Sequence, residues 1–204
     1  MTATDLSDLD MTDTPAFLQD AKDLLTEQGF ATSNTWYHGT SSALVDSINE
    51  QGLNRSGDKA LKAAAKQTMA TIGNHYTETI EPVFLTQSKE LAYYWASQTV
   101  RDRSVRIEGD EQPVVFAVIL PEDLNNQVKP DVGAASLLLV QEGEAFMAHL
   151  AGVYQANGFN APEIELRKAD RMEYLDKLGM AYYDADIDSS CISIITEDPV
   201  NNSV

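Results

Sequence analysis

The sequence predicts one α+β domain, with mixed or antiparallel β-sheet flanked by helices. Three observations carry that expectation. From residue 14 onward, segments of helical period alternate with short runs of β-formers, with no repeat, low-complexity block or linker between them. The 204 residues, 43% of them hydrophobic, suffice for one core without disulfides or a structural metal. Residues 113–120 (PVVFAVIL) form a continuous run of apolar β-formers, the pattern of a buried strand.

Taken in chain order, residues 1–13 are acidic and aperiodic, a flexible lead-in to a domain over residues 14–204. Thr14 and Pro15 read as N-cap and first helical position. Phe17, Leu18, Ala21, Leu24 and Leu25 follow at helical spacing, and Gly29 stops the helix. Residues 35–40 (TWYHGT) are a short β-prone run. Ser41 or Ser42 then caps a helix whose apolar face is Leu44, Val45 and Ile48, ended by Gly52. Residues 58–72 are rich in alanine and lysine and predict a further helix. A strand at 82–86 (PVFLT) leads into a helix from Ser88 to about Arg103, then a loop over 104–112 and the buried strand. An amphipathic helix over 142–157 ends at Gly158, and 180–183 and 191–196 are the closing strand candidates.

Charge narrows the function. With 32 acidic and 14 basic side chains the net charge is −18, and a surface this negative disfavours duplex nucleic acid. Residues 54–106 hold eight of the 14 bases against five acids, net +3, so the remainder carries −21. A basic middle in an acidic chain is where an anionic ligand is expected, although solvated lysine-bearing helix faces explain it equally. The longest apolar run, 114–120, is about a third of the roughly 20 residues that span a bilayer. The N-terminus lacks the basic-then-apolar order of a signal peptide, and the one cysteine, Cys191, fits a reducing compartment. A cytoplasmic protein with no membrane partner is the expectation.

Several chemistries are excluded by spacing. The chain has no Gly-x-Gly-x-x-Gly, P-loop or Gly-x-Ser-x-Gly motif. His38, His75 and His149 are far apart in sequence, with no HExxH or CxxC, so no metal is expected. Asp184, Asp186 and Asp188 alternate like the start of a calcium loop, but Ser189 and Ile195 stand where glycine and glutamate are required. They are expected on a solvated turn, and Cys191, among isoleucines, in inert core.

Two segments remain. Trp36-Tyr37-His38-Gly39-Thr40-Ser41 is a strand ending in a histidine, a glycine and hydroxyls before a helix. About 45 residues later, a strand with Phe84 and Thr86 runs through Ser88 into a helix bearing Tyr93, Tyr94 and Trp95. A histidine there can hydrogen-bond a ribose hydroxyl, a glycine admits a planar amide to the backbone, and an aromatic can stack on a flat heterocycle. Without a ligand, the same residues are a turn and a piece of core.

These segments resemble the His-Tyr-Glu class of ADP-ribosyltransferases, the group of diphtheria toxin and the poly(ADP-ribose) polymerases. The resemblance covers roughly residues 35–196, and about twenty residues carry it. It implies split sheets with flanking helices and an NAD site made by His38, Gly39, Thr40, Phe84, Ser88 and Tyr94. By its motifs His38 contacts the nicotinamide ribose, Gly39 the carboxamide and Tyr94 the nicotinamide ring. Phe84 replaces the family's first tyrosine, keeping a flat wall without the hydroxyl. The catalytic glutamate has no motif to anchor it: Glu173 and Glu165 rank equally, with Glu163 behind.

The expected activity is transfer of ADP-ribose from NAD to a macromolecular acceptor, a protein rather than a nucleic acid, with nicotinamide released and no metal. Such a transferase would suit a toxin, an effector or a viral modifier. The alternative is a catalytically weak or inactive relative acting as an acidic protein-binding module or nucleic-acid mimic. An NAD-using RNA phosphate-removing relative is disfavoured, because its paired basic motif residues are missing here.

Overall fold

The structure, a computed structural model, describes residues 14–71, 80–133, 136, 142–165 and 168–197. The expected lead-in at 1–13 and His75 lie outside those residues. A six-stranded antiparallel sheet organises the rest. Its strands are β3 (Thr35–Ser41), β4 (Val83–Thr86), β5 (Pro113–Ile119), β6 (Lys129–Pro130), β7 (Met180–Tyr183) and β8 (Ile192–Ile194). They lie in the order β6-β7-β4-β3-β5-β8. A separate two-stranded hairpin joins β1 (Leu25–Thr26) to β2 (Gly29–Phe30).

The helices are α1 (Ala21–Leu24), α2 (Val45–Gln51), α3 (Lys59–Thr71), α4 (Lys89–Ser104), α5 (Glu122–Asn125), α6 (Glu142–Ala156) and α7 (Arg171–Leu178). The α+β expectation holds, as do β3, β4, β5, β7 and the helices α2, α3, α4 and α6, within a few residues. Sequence reading missed α5, β6 and α7, all of eight residues or fewer.

The helix expected from Pro15 to Gly29 does not form. A 3₁₀ turn at Ala16–Leu18, the single turn of α1 and the β1–β2 hairpin replace it. The reason is Asp20, which breaks the run to serve another helix. Its carboxylate accepts from Ser88 Oγ (2.7 Å) and from the Lys89 backbone N–H (2.8 Å) at the start of α4. Ser88 Oγ in turn accepts from the Leu91 N–H (3.4 Å), so two side chains satisfy the donors of this 16-residue helix.

Two cores flank the sheet. Trp36, Val83, Leu85, Phe116, Val118 and Tyr183 pack with Ile48 of α2 on one side. On the other, Leu91 and Tyr94 of α4 meet Phe146 and Leu150 of α6, Tyr174 of α7 and Phe30. Within that second core His149 stacks on Tyr94, with ring centroids 4.8 Å apart, and burial pushes its imidazole pKa down to about 4.

Helix α4 crosses β3 at Gly39, so closely that a Cβ on that residue would overlap the Ala92 carbonyl and press on the Ala96 N–H. No rotamer relieves a clash with backbone. Replacing Gly39 by alanine is expected to cost about 3 kcal/mol or more, as overpacking against an immovable neighbour does. Urea unfolding of the variant checks this, and a wild-type midpoint would contradict the close crossing.

Candidate functional site

The sheet is joined unevenly about β3. On one side β3 pairs with β5 along its whole length, from Thr35 with Ile119 to Ser41 with Pro113. On the other it meets β4 at one pair only, Tyr37 with Thr86. The next pair in that register, Gly39 with Phe84, is not formed, so the sheet splits there. Beyond the split, β4 is again fully paired with β7.

The split leaves polar backbone facing open space. The Leu120 N–H donates to the Asn34 carbonyl (3.1 Å) and the Ser42 N–H to the Gln112 carbonyl (2.8 Å). In an antiparallel ladder hydrogen bonding alternates, so the even-numbered residues of β3 bond to β5. The odd-numbered ones turn their N–H and C=O toward β4. Tyr37 finds Thr86 there, whereas Gly39 faces the gap.

A cleft of about 680 Å³ opens at this gap. Its floor is His38, Gly39, Thr40 and Phe84, and its walls come from α2, the loop at 52–58 and the start of α3. His38 spans the split: its Nδ1–H donates to the Phe84 carbonyl (2.9 Å), because a carbonyl can only accept. Burial lowers the His38 pKa, and the bond to Phe84 offsets part of that. The ring is therefore neutral at pH 7, with Nε2 left as an acceptor for a hydroxyl. Phe84 is 46% exposed, a large apolar ring held open to the cleft.

Cations enrich the walls, with Arg55, Lys59, Lys62 and Arg106 among the lining residues. Arg55 pairs with Asp184 (2.8 Å), its backbone N–H donates to Asp186 (2.7 Å), and its Nε–H has no acceptor among the described residues. Asp188 caps the turn after it by accepting from the Ser190 N–H (2.9 Å). Asp184 and Asp186 thus fasten the loop at 52–55, a role that spacing alone did not reveal. Cys191 is half-buried against the core of Trp36 and Phe116.

The first turn of α3 is fixed by Arg103, which is 3% exposed. Its guanidinium binds Glu111 through Nε and Nη2 and Asp58 through Nη1, while Ser41 Oγ also donates to Glu111. The Arg103 hydrogen bond, with smaller help from Ser41 and the cation's charge, holds the Glu111 carboxyl below its usual range. Asp58 also accepts from the Leu61 N–H (2.9 Å), which caps α3. One buried cation therefore ties the cleft wall to the end of β3.

The predicted site residues divide in two. His38, Gly39, Thr40 and Phe84 line one cleft. Ser88 and Tyr94 are not brought there: Ser88 is fully buried as the α4 cap, and the Tyr94 ring lies in core between His149, Trp95 and Phe146. Tyr93 packs beside Leu18 and Val115, the packing role expected of it. None of the three predicted glutamates lines this cleft. Glu173 pairs with Lys177 (2.7 Å) on α7, and Glu165 with Lys168 (2.7 Å). Glu163 borders a separate pocket with Tyr154, Phe159 and Lys177. The carboxylates that do line the cleft, Asp58 and Glu81, were not singled out from the sequence.

Among the described residues, no group of three or more His, Cys, Asp or Glu stands together as a metal ligand set, and no helix is long and apolar enough to cross a membrane. No family model, curated protein or solved structure matches the chain.

Replacing Arg103 by methionine strands two partly buried carboxylates. The expected loss is about 3–5 kcal/mol of unfolding free energy, read by urea titration at pH 7. A change under about 1 kcal/mol would show that the cluster is a solvated surface pair instead.

Proposed function

We propose that the cleft binds NAD and that the protein is an NAD-dependent ADP-ribosyltransferase of the His-Tyr-Glu type. The observation that carries this reading is the backbone of Gly39, turned toward the open split beside a neutral His38 and an exposed Phe84. A carboxamide is the ligand group that both accepts from an N–H and donates to a C=O, so the open strand edge is complementary to nicotinamide. Nε2 of His38 accepts a ribose hydroxyl, Phe84 walls the ring, and Arg55, a cation of the cleft wall, meets the phosphates.

The reaction is substitution at the anomeric carbon. The C–N bond to nicotinamide breaks, its electron pair leaving with the ring, while the acceptor nucleophile bonds to the same carbon and gives up its proton. Positive charge builds on the ribose, and a nearby carboxylate stabilises it. With Glu173 and Glu165 committed elsewhere and Asp58 held by Arg103, that role falls to Glu81, the exposed carboxylate of the lining. A net charge of −18 favours a basic protein segment as acceptor over nucleic acid.

The position of Glu173 and Glu165 outside the cleft favours a second reading, in which NAD is bound and transfer is slow or absent. Calorimetry with NAD and a nicotinamide-release assay separate the two. Wild-type binding, weakened roughly tenfold by His38→Ala as for loss of one ligand hydrogen bond, is expected. Nicotinamide release that Glu81→Gln abolishes supports transfer. Binding without release supports the second reading, and no binding at millimolar NAD overturns both.

A further inference from the structure

The ring-stacking role that the motifs gave to Tyr94 is left vacant, because that side chain is buried among Phe146, Trp95 and His149. The sheet register supplies another aromatic. Phe84 pairs with Tyr182 of β7, and Tyr182 with Lys129 of β6. Cross-strand partners point to the same face, with Cβ atoms about 5 Å apart. Val83, Leu85, Ala181 and Tyr183 turn the other way, into the core of Trp36 and Phe116. The face that remains carries Phe84, Tyr182 and Lys129 in a row at right angles to the strands.

That row continues through the split. The unformed pair of Phe84 is Gly39, so Gly39, Phe84, Tyr182 and Lys129 lie on one line across β3, β4, β7 and β6. Tyr182 is only partly buried, and Lys129 is about half exposed. The Lys129 ammonium stands 5.8 Å from the centre of the Tyr182 ring, a geometry that shows the ring face open to a cation. Lys129 also lies 4.0 Å from Asp184, the residue that pairs with Arg55 of the cleft. Tyr182 and Lys129 stand outside the cleft lining and adjoin it through Phe84, the strand neighbour of Tyr182, and through the Asp184–Arg55 pair.

We propose that Tyr182 is the second ring-contacting residue of the site and that Lys129, beyond it, receives a phosphate of the ligand. This rests on the reading of the cleft as an NAD site. A carboxamide anchored on Gly39 directs its ring over Phe84 and toward Tyr182. The ring is cationic in NAD, and a tyrosine face attracts it as it attracts Lys129 in the free protein. On binding, the Lys129 side chain moves from the ring to the anionic end of the ligand, one strand spacing of about 4.8 Å further on.

Calorimetry with three probes (NAD, nicotinamide and adenosine monophosphate) tests this on Tyr182→Leu, Tyr182→Phe, Lys129→Gln and Tyr94→Phe, each first shown to melt cooperatively. Tyr182→Leu, which keeps bulk on the strand, is expected to weaken both NAD and nicotinamide roughly tenfold, and Tyr182→Phe to retain them. Lys129→Gln weakens NAD several-fold and leaves nicotinamide unchanged, and Tyr94→Phe alters neither. Adenosine monophosphate binding unaffected by Tyr182→Leu assigns the aromatic row to the nicotinamide end. Wild-type affinity for NAD and nicotinamide in Tyr182→Leu overturns the inference while leaving the NAD site standing. No NAD binding by the wild type overturns the site and the inference together.

Discussion

Helix α4 rests directly on the backbone of Gly39, and the rest of the structure is arranged around that contact. Only a residue without a side chain lets a helix approach a strand this closely. The approach is held at both ends of α4. At the N-terminus, Asp20 and Ser88 satisfy its first donors and draw the chain from residue 14 onward against it. At the C-terminus, Arg103 turns inward to Glu111 and Asp58. Both anchors are buried charges with partners, the arrangement in which removing one partner costs most. The glycine of the His-Gly-Thr segment thus has a structural duty, packing under α4. Its backbone N–H and C=O, in the plane of the sheet, face the split toward β4.

The second constraint is the disparity of pairing on the two sides of β3. Seven pairs to β5 make that half of the sheet rigid, and a single pair to β4 hinges it to the other half. Unpaired strand backbone is costly when dry and serviceable when open. Here it opens into a cleft bordered by cations, while His38 bridges the gap through its side chain instead of a ladder bond. The histidine thereby fixes its own tautomer and presents its remaining lone pair. The cleft is lined by a strand edge that the pairing leaves open.

Much of this was legible in the sequence. The strand–turn–helix around His38, the strand and helix around Phe84 and the buried strand at 113–120 are local patterns, and each formed where expected. The failures share a cause: they depend on contacts distant in sequence. Residues 14–28 carry a helical period, but Asp20 is recruited by a helix nearly 70 residues away and the period is overridden. Tyr93, Tyr94 and Trp95 are consecutive, so a helix points them about 100° apart. That Tyr94 and Trp95 meet α6 while Tyr93 does not depends on a helix beyond residue 140. Glu173 precedes the closing strands and Glu165 lies in a segment with the look of a strand entry, and their pairing with Lys177 and Lys168 is visible only as helical or turn spacing. Tyr182 has no motif at all, and only the register of β4 on β7 sets it beside Phe84.

Residue-resolved amide hydrogen exchange at Tyr37, His38, Gly39 and Thr40, with and without nicotinamide at saturating concentration, tests whether the Gly39 amide is unpaired in the free protein and engages a carboxamide as proposed. Fast exchange at Gly39 alone among the four, slowed on adding nicotinamide, is expected, because the other three amides are tied into ladders on one side or the other. Protection of Gly39 in the free protein equal to that of its neighbours, or exchange at Gly39 indifferent to nicotinamide, would contradict the proposal.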